Sequence, residues 1–283
     1  MREGQQMKKK QSPLKHVEVD LEKFEDIPQT PQSESPTYRL AVADQDFLLR
    51  EELRPVRLQL ELLKPEMILT EHGIESTVVL FGGARLPEPG VEPWAAKNET
   101  QRKNLKENSK YYEQARLFAQ RVSQESLKHD GKEYVVVTGG GPGVMEAGNR
   151  GATEVGAKSI GLNIVLRQEP LPNGYTTPEL CFNFHYFAIR KMHFLMRAKA
   201  IAVFPGGFGT MDELFETLTL IQTERMEPVP VILFGESFWR RVINFEALAE
   251  EGTIGPNDTD LFSFVDTAEA GWDAIARYYE IKT

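Results

Sequence analysis

From Gly73 onward the chain alternates two hydrophobic patterns. Short continuous apolar runs end in glycine or polar residues: "STVVLFGG" (76–83), "KEYVVVTGGG" (132–141), "AKSIGLNIV" (157–165), "ELCFNFHYF" (179–187), "KAIAVFPGG" (199–207), "PVPVILFG" (228–235) and "LFSFVD" (261–266). Between them lie segments whose apolar residues recur every three or four positions. In "SKYYEQARLFAQRVSQES" (109–126) the inward set is Tyr112, Ala115, Phe118, Ala119 and Val122. Helical patterns of the same kind run through "GVMEAGNRGATEVG" (143–156), "AIRKMHFLMRA" (188–198), "TMDELFETLTLIQ" (210–222), "SFWRRVINFEALAEEG" (237–252) and "TAEAGWDAIARYYE" (267–280). Fully apolar strands alternating with amphipathic helices predict an α/β domain: a parallel sheet covered on both faces.

The first 72 residues read differently. Residues 1–38 are polar and punctuated by Pro and Ser, and are expected to be a mobile tail. Residues 39–72 are expected to be a helical arm. In "DQDFLLREELRPVRLQLELLKPE" (44–66), Leu48, Leu49, Leu53, Val56, Leu60 and Leu63 make one stripe, with a break or kink at Pro55 and an arginine-rich opposite face. The catalytic or binding domain is then 73–283, entered through a strand and a long polar connection over 86–108.

Composition narrows the function. The chain has 283 residues, 41% hydrophobic and 27% charged, which is ordinary globular usage. A net charge of −9 argues against a nucleic-acid surface, and "KKK" at 8–10 reads as a solvated tail. Cys181 is the single cysteine, so no intramolecular disulfide or cysteine-based zinc site is possible, and a cytoplasmic location is expected. The N-terminus has no apolar run of signal-peptide type, and the apolar runs are strand-length, so no membrane partner is expected.

Two glycine turns follow strands and open helices: "TGGGPG" (138–143) and "PGGFGT" (205–210). Strand, glycine turn and helix together present backbone N–H groups to an anion. One such turn is commonly tight packing; two in one sheet point to phosphate. Neither has the G-x-x-x-x-G-K-[ST] pattern of a P-loop, and "GGGPGVMEAG" lacks G-x-G-x-x-G in register. The next strand ends at Asn163, where a dinucleotide site needs an acidic residue for the ribose. No cofactor and no metal is expected.

Three motifs in order are more specific. "PGGFGTMDE" fits P-G-G-x-G-T-x-x-E, "TGGGPGVMEAGNRGA" fits a glycine turn with its helix, and "RKMHFLMRAKAIAVFPGG" fits an Arg-Lys helix leading into a strand. From about Thr77 to the C-terminus the chain resembles the Lonely Guy family of nucleoside 5′-monophosphate phosphoribohydrolases, which often carry a lysine decarboxylase label. That resemblance implies a Rossmann-like subunit, a homo-oligomer of at least two copies, and cleavage of a purine nucleoside monophosphate (AMP or a cytokinin riboside monophosphate) to free base and ribose 5-phosphate. The first strand ends "FGGARLPEP" instead of in a Cys-Gly-Ser turn, the connection after it is long, and an arm of about 70 residues precedes it. These departures favour a long, bacterial-type member acting on AMP or similar nucleotides.

The resemblance assigns roles residue by residue. Glu213 is the expected catalytic carboxylate and Arg190 its partner, holding the phosphate or the departing base. Gly206, Gly207, Phe208, Gly209, Thr210 and Asp212 should bind substrate, with Gly140, Gly141 and Gly143 forming the facing wall and Lys191 adding positive charge. Two roles are open for Arg85, a reach to the phosphate or a place on the surface. Met145 and Glu146 are candidates for the base pocket, Met145 also for helix packing. His185 and His193 are assigned to structure. The competing function is a non-catalytic nucleotide or cofactor carrier on the same scaffold. A pyridoxal-dependent decarboxylase comes third, because no lysine stands in a convincing Schiff-base setting.

Overall fold

A computed structural model of the chain describes residues 17–24, 27–165 and 171–282. The "KKK" segment and the start of the expected tail lie outside them. The chain divides into two compact units, residues 1–59 and 60–283.

In the first unit, α1 (Val17–Phe24) lies within the segment expected to be a polar tail. Helix α2 (Gln45–Leu48) is capped by Asp44, whose side chain accepts the Phe47 N–H at 3.2 Å. Helix α3 (Arg54–Glu71) begins here and ends in the second unit. Its start corrects the expected break at Pro55: the helix begins at Arg54, so Pro55 occupies the first turn, where its missing N–H is one the helix does not use. Leu49 and Val56 of the expected stripe are exposed, while Leu48 and Leu53 are half-buried.

The second unit is built on β1 (Thr77–Phe81), followed by α4 (Glu99–Asn108), α5 (Lys110–Lys128), β2 (Val135–Thr138), α6 (Val144–Glu154), β3 (Ser159–Ile164), β4 (Cys181–Phe184) and α7 (Phe187–Leu195). The second half runs β5 (Ala198–Val203), α8 (Phe208–Gln222), β6 (Val231–Phe234), α9 (Glu236–Val242), α10 (Phe245–Glu250), β7 (Ser263–Val265) and α11 (Ala268–Tyr278). Two expectations are corrected. The polar connection over 86–108 contains α4, capped by Asn98. The helix expected over 237–252 is two helices, because Ile243 is extended and Asn244 caps a new start by accepting the Ala247 N–H at 3.0 Å.

All seven strands pair in parallel in the order β4-β3-β2-β1-β5-β6-β7. Strands β1 and β2 are buried along their whole length, which is why their sequences are apolar runs without alternation. Val78 and Leu80 face one core, with Phe118, Phe234 and Trp272; Val79 and Phe81 face the other, with Phe194, Leu214 and Trp239. The architecture is therefore a Rossmann-like α/β fold with a helical N-terminal region. Strand order reverses between β1 and β5, the point at which open parallel sheets take their ligands.

Candidate functional site

Three turns, not two, meet at that point. Gly83, just after β1, donates its N–H to the carbonyl of Pro205 after β5 (3.0 Å), and its carbonyl accepts the N–H of Val144 at the start of α6 (3.3 Å). The turns after β2, β1 and β5 are thus sewn side by side. Their contacts explain two glycines. A Cβ on Gly143 would stand 2.4 Å from the Gly83 carbonyl oxygen, and Gly143 has φ +69°. On Gly206 a Cβ would fall 2.1 Å from Thr210 Oγ1.

The turn after β2 is braced from below by two side chains of its own motif, Thr138 and Asn149, and by Asn173, which no motif marked. Thr138 Oγ1 accepts the Gly140 N–H (3.0 Å) and donates to Asn149 Oδ1 (2.7 Å). Asn173 bridges the turn: its N–H reaches Gly140 O (2.8 Å) and its Nδ2 reaches Gly141 O (3.0 Å) and Asn149 Oδ1 (2.9 Å). Thr138 and Asn149 are buried, so this network is shielded from water and rigid.

Above the turns lies a cavity of about 770 Å³, within the range of small-molecule sites. Arg85, Gly141, Met145, Arg190, Gly206, Gly207, Phe208, Gly209, Thr210, Asp212 and Glu213 all line it. Four expected site residues do not. Gly140 and Gly143 shape the turns from behind. Glu146 accepts a hydrogen bond from the Tyr112 hydroxyl at 2.8 Å, and Lys191 Nζ lies 3.0 Å from both Asp212 Oδ1 and Glu216 Oε2. Trp94, Leu105 and Asn108 also line the cavity. They come from the connection read as merely polar, and Trp94 is 66% exposed.

Arg190 is fixed at the cavity wall. Its Nε donates to Leu162 O at 2.7 Å, its guanidinium lies 5.1 Å from the Phe194 ring centroid, and its Nη2 comes so near Gly139 that a Cβ there would stand 2.7 Å away. Glu213 sits on the second turn of α8, only 6% exposed, with Oε2 buried and unpartnered among the described residues. Burial pushes its carboxyl up to about 7, against the opposing pull of Lys191 and Arg190. The first-turn N–H groups of α8, from Phe208 to Thr210, have no intrahelical acceptor, and these three residues line the same cavity. The arrangement can hold an anion at the glycine turns and a proton at Glu213. His193 is buried beside Phe184 (ring centroids 5.4 Å apart), with its pKa lowered by burial, and does not line the cavity.

A carboxylate, Glu213, and a guanidinium, Arg190, thus line one cavity over the glycine turns of a Rossmann-like sheet. Residues 145–275 match the family model described as "Possible lysine decarboxylase", and this stretch is Lonely Guy-like, as the three motifs implied. No curated protein matches the chain. Among solved structures, the molybdenum cofactor binding protein of Rippkaea orientalis is similar at 14% identity and TM-score 0.47, over 72% of this chain and 98% of that one. A structural-genomics X-ray structure is similar at 20% identity and TM-score 0.47, over 71% and 99%. The Moco carrier protein of Chlamydomonas reinhardtii is similar at 16% identity and TM-score 0.42, over 73% and 98%. No ligand or activity passes to this chain from such distant likenesses. Among the described residues, no helix is long and apolar enough to cross a membrane, and no cluster of His, Cys, Asp and Glu is suited to a metal ion.

Proposed function

We propose that the protein hydrolyses the N-glycosidic bond of a purine nucleoside 5′-monophosphate, AMP or a close relative, to free base and ribose 5-phosphate. The observation that carries this reading is Glu213: a buried carboxyl with a free oxygen, lining the cavity one turn beyond the glycine loop. In the reaction the C1′–N bond breaks and water oxygen bonds C1′. One water proton goes to the Glu213 carboxylate while the hydroxyl stays on C1′, and that proton passes on to the departing base nitrogen, which returns Glu213 to its ionised form. The ionised carboxylate also stabilises the positive charge that builds on the ribose. Gly206, Gly207, Phe208, Gly209 and Thr210 hold the 5′-phosphate at the N-terminus of α8, joined by the Arg85 and Arg190 guanidinium groups. Gly141 and Met145 bound the facing wall.

Incubating the purified protein with a panel of nucleotides and measuring free base and ribose 5-phosphate tests the reading. Stoichiometric binding without base release would favour the carrier instead. The pH dependence is a second check. Because Glu213 must be ionised to accept a proton and its pKa is near 7, kcat/KM should rise with pH about tenfold per unit below that value and level off above it. A profile flat from pH 5.5 to 8 would remove Glu213 as the base.

The working form is proposed to be a homo-oligomer of at least two copies. Leu60, Leu63 and Met67 on α3 are more than half exposed, and Phe187, Met192 and Met196 on and beside α7 leave further apolar surface in water. Light scattering should give at least twice the 32.1 kDa chain mass; a monomer at micromolar concentration would end this part of the proposal.

A further inference from the structure

Helix α7 carries Arg190, yet its own sequence does little to fix its ends. Tyr186 at the N-cap provides no capping side chain. The cap comes instead from α3, more than a hundred residues earlier in the chain. Glu61 Oε1 accepts the His185 N–H at 2.8 Å and Oε2 accepts the Tyr186 N–H at 3.0 Å. Both carboxylate oxygens are therefore used on successive amides at the positive end of the helix. Just past the other end of α7, Arg197 binds Glu66 of the same helix α3 through both Nη1 and Nη2, the Nη2–Oε2 contact being 3.0 Å, and donates from Nε to Ile74 O at 3.2 Å. His193 lies 3.7 Å from Glu66 between the two attachments. Pro65 and Leu69 are buried, so this part of α3 is itself anchored to the core.

We infer that α3 is a splint for α7, and that Glu61 is a positioning residue that sets where Arg190 stands in the cavity. Arg190 is the fourth residue of α7, and its own N–H bonds the Tyr186 carbonyl at 3.2 Å, so it sits in the turn that Glu61 secures. Without Glu61, the two hydrogen bonds that hold the His185 and Tyr186 amides to α3 are gone and the first turn of α7 frays. The guanidinium then departs from its place between Leu162 O and the Gly139 backbone. A shift of an ångström at such a group is enough to matter to a reaction that depends on alignment. This stretch of α3 thereby contributes to the site without touching a ligand.

This inference rests on the proposed function only where turnover is read, so the experiment has two arms. In the full-length protein without ligand, Glu61→Ala should speed amide hydrogen exchange over residues 185–190 by about tenfold or more, with α5 unchanged. Glu61→Gln, which keeps one acceptor oxygen, should fall between it and wild type. Unchanged exchange over 185–190, or a uniform rise across the domain, overturns the splint. On turnover of AMP, Glu61→Ala should lower kcat/KM by about tenfold. The same substitution should cost nothing further in an Arg190→Ala background. Equal losses in both backgrounds would show that Glu61 does not act through Arg190. A wild-type protein that releases no base would refute the hydrolase reading and leave the exchange arm to decide the splint.

Discussion

Glu213→Gln is expected to lower turnover of a nucleoside 5′-monophosphate by at least ~100-fold while leaving its binding nearly unchanged, the usual scale for a positioned acid–base group. The substitution keeps shape and removes the charge and the proton-accepting oxygen. Steady-state release of base by the purified variant is the measurement, and near-wild-type turnover would eliminate Glu213 as the catalytic carboxylate. The same variant should be more stable than wild type in alkaline buffer. Glu213 has its pKa raised from 4.5 to about 7 in the folded state, so the folded protein binds the proton more tightly than the unfolded chain does. Its contribution is fully present below pH 4.5 and is lost as pH rises to about 7. Above that, the wild-type protein is destabilised by up to ~3 kcal/mol relative to acid conditions. The amide introduced by the substitution does not titrate, so the melting-temperature gain of the variant over wild type should be larger at pH 8 than at pH 5. A gain independent of pH would mean that the carboxyl is not desolvated.

Removing the 5′-phosphate from the substrate should be nearly as damaging. AMP should exceed adenosine in kcat/KM by at least ~100-fold, since two charge-assisted hydrogen bonds at ~1.5–3 kcal/mol each already reach that ratio. The phosphate is remote from C1′, and its binding energy serves to align the ribose against Glu213. The first turn of α8 and the two arginines lining the cavity, Arg85 and Arg190, are the groups that would supply it. Comparable values for nucleotide and nucleoside would mean that the glycine turns serve packing alone.

Much of this molecule was legible in its sequence, for identifiable reasons. Strands buried on both faces have no polar face, so β1, β2 and β6 appear as continuous apolar runs. A Cβ on Gly143 would strike the backbone of Gly83 and one on Gly206 the side chain of Thr210, so both positions mark themselves by their residue type. Glu213 is three residues beyond Thr210, within reach of the loop it follows, and local spacing was enough to place it at the cavity.

What stayed hidden was decided between segments distant in the chain. No local pattern says that Asn173 will brace Gly140 and Gly141, that Trp94 will reach the cavity from a polar connection, or that Lys191 will turn to Asp212 and Glu216. The amphipathic pattern also could not divide α9 from α10, because one extended residue at Ile243 leaves the apolar spacing almost intact. By itself the sequence determined the parallel sheet, the glycine turns and the carboxylate, since each follows from chemistry within a few residues. Only the tertiary structure decided which turns meet at Gly83, how deeply Glu213 is desolvated and which helix caps α7. Hydrogen bonds and burial depend on what packing brings together, and chain neighbours do not report it.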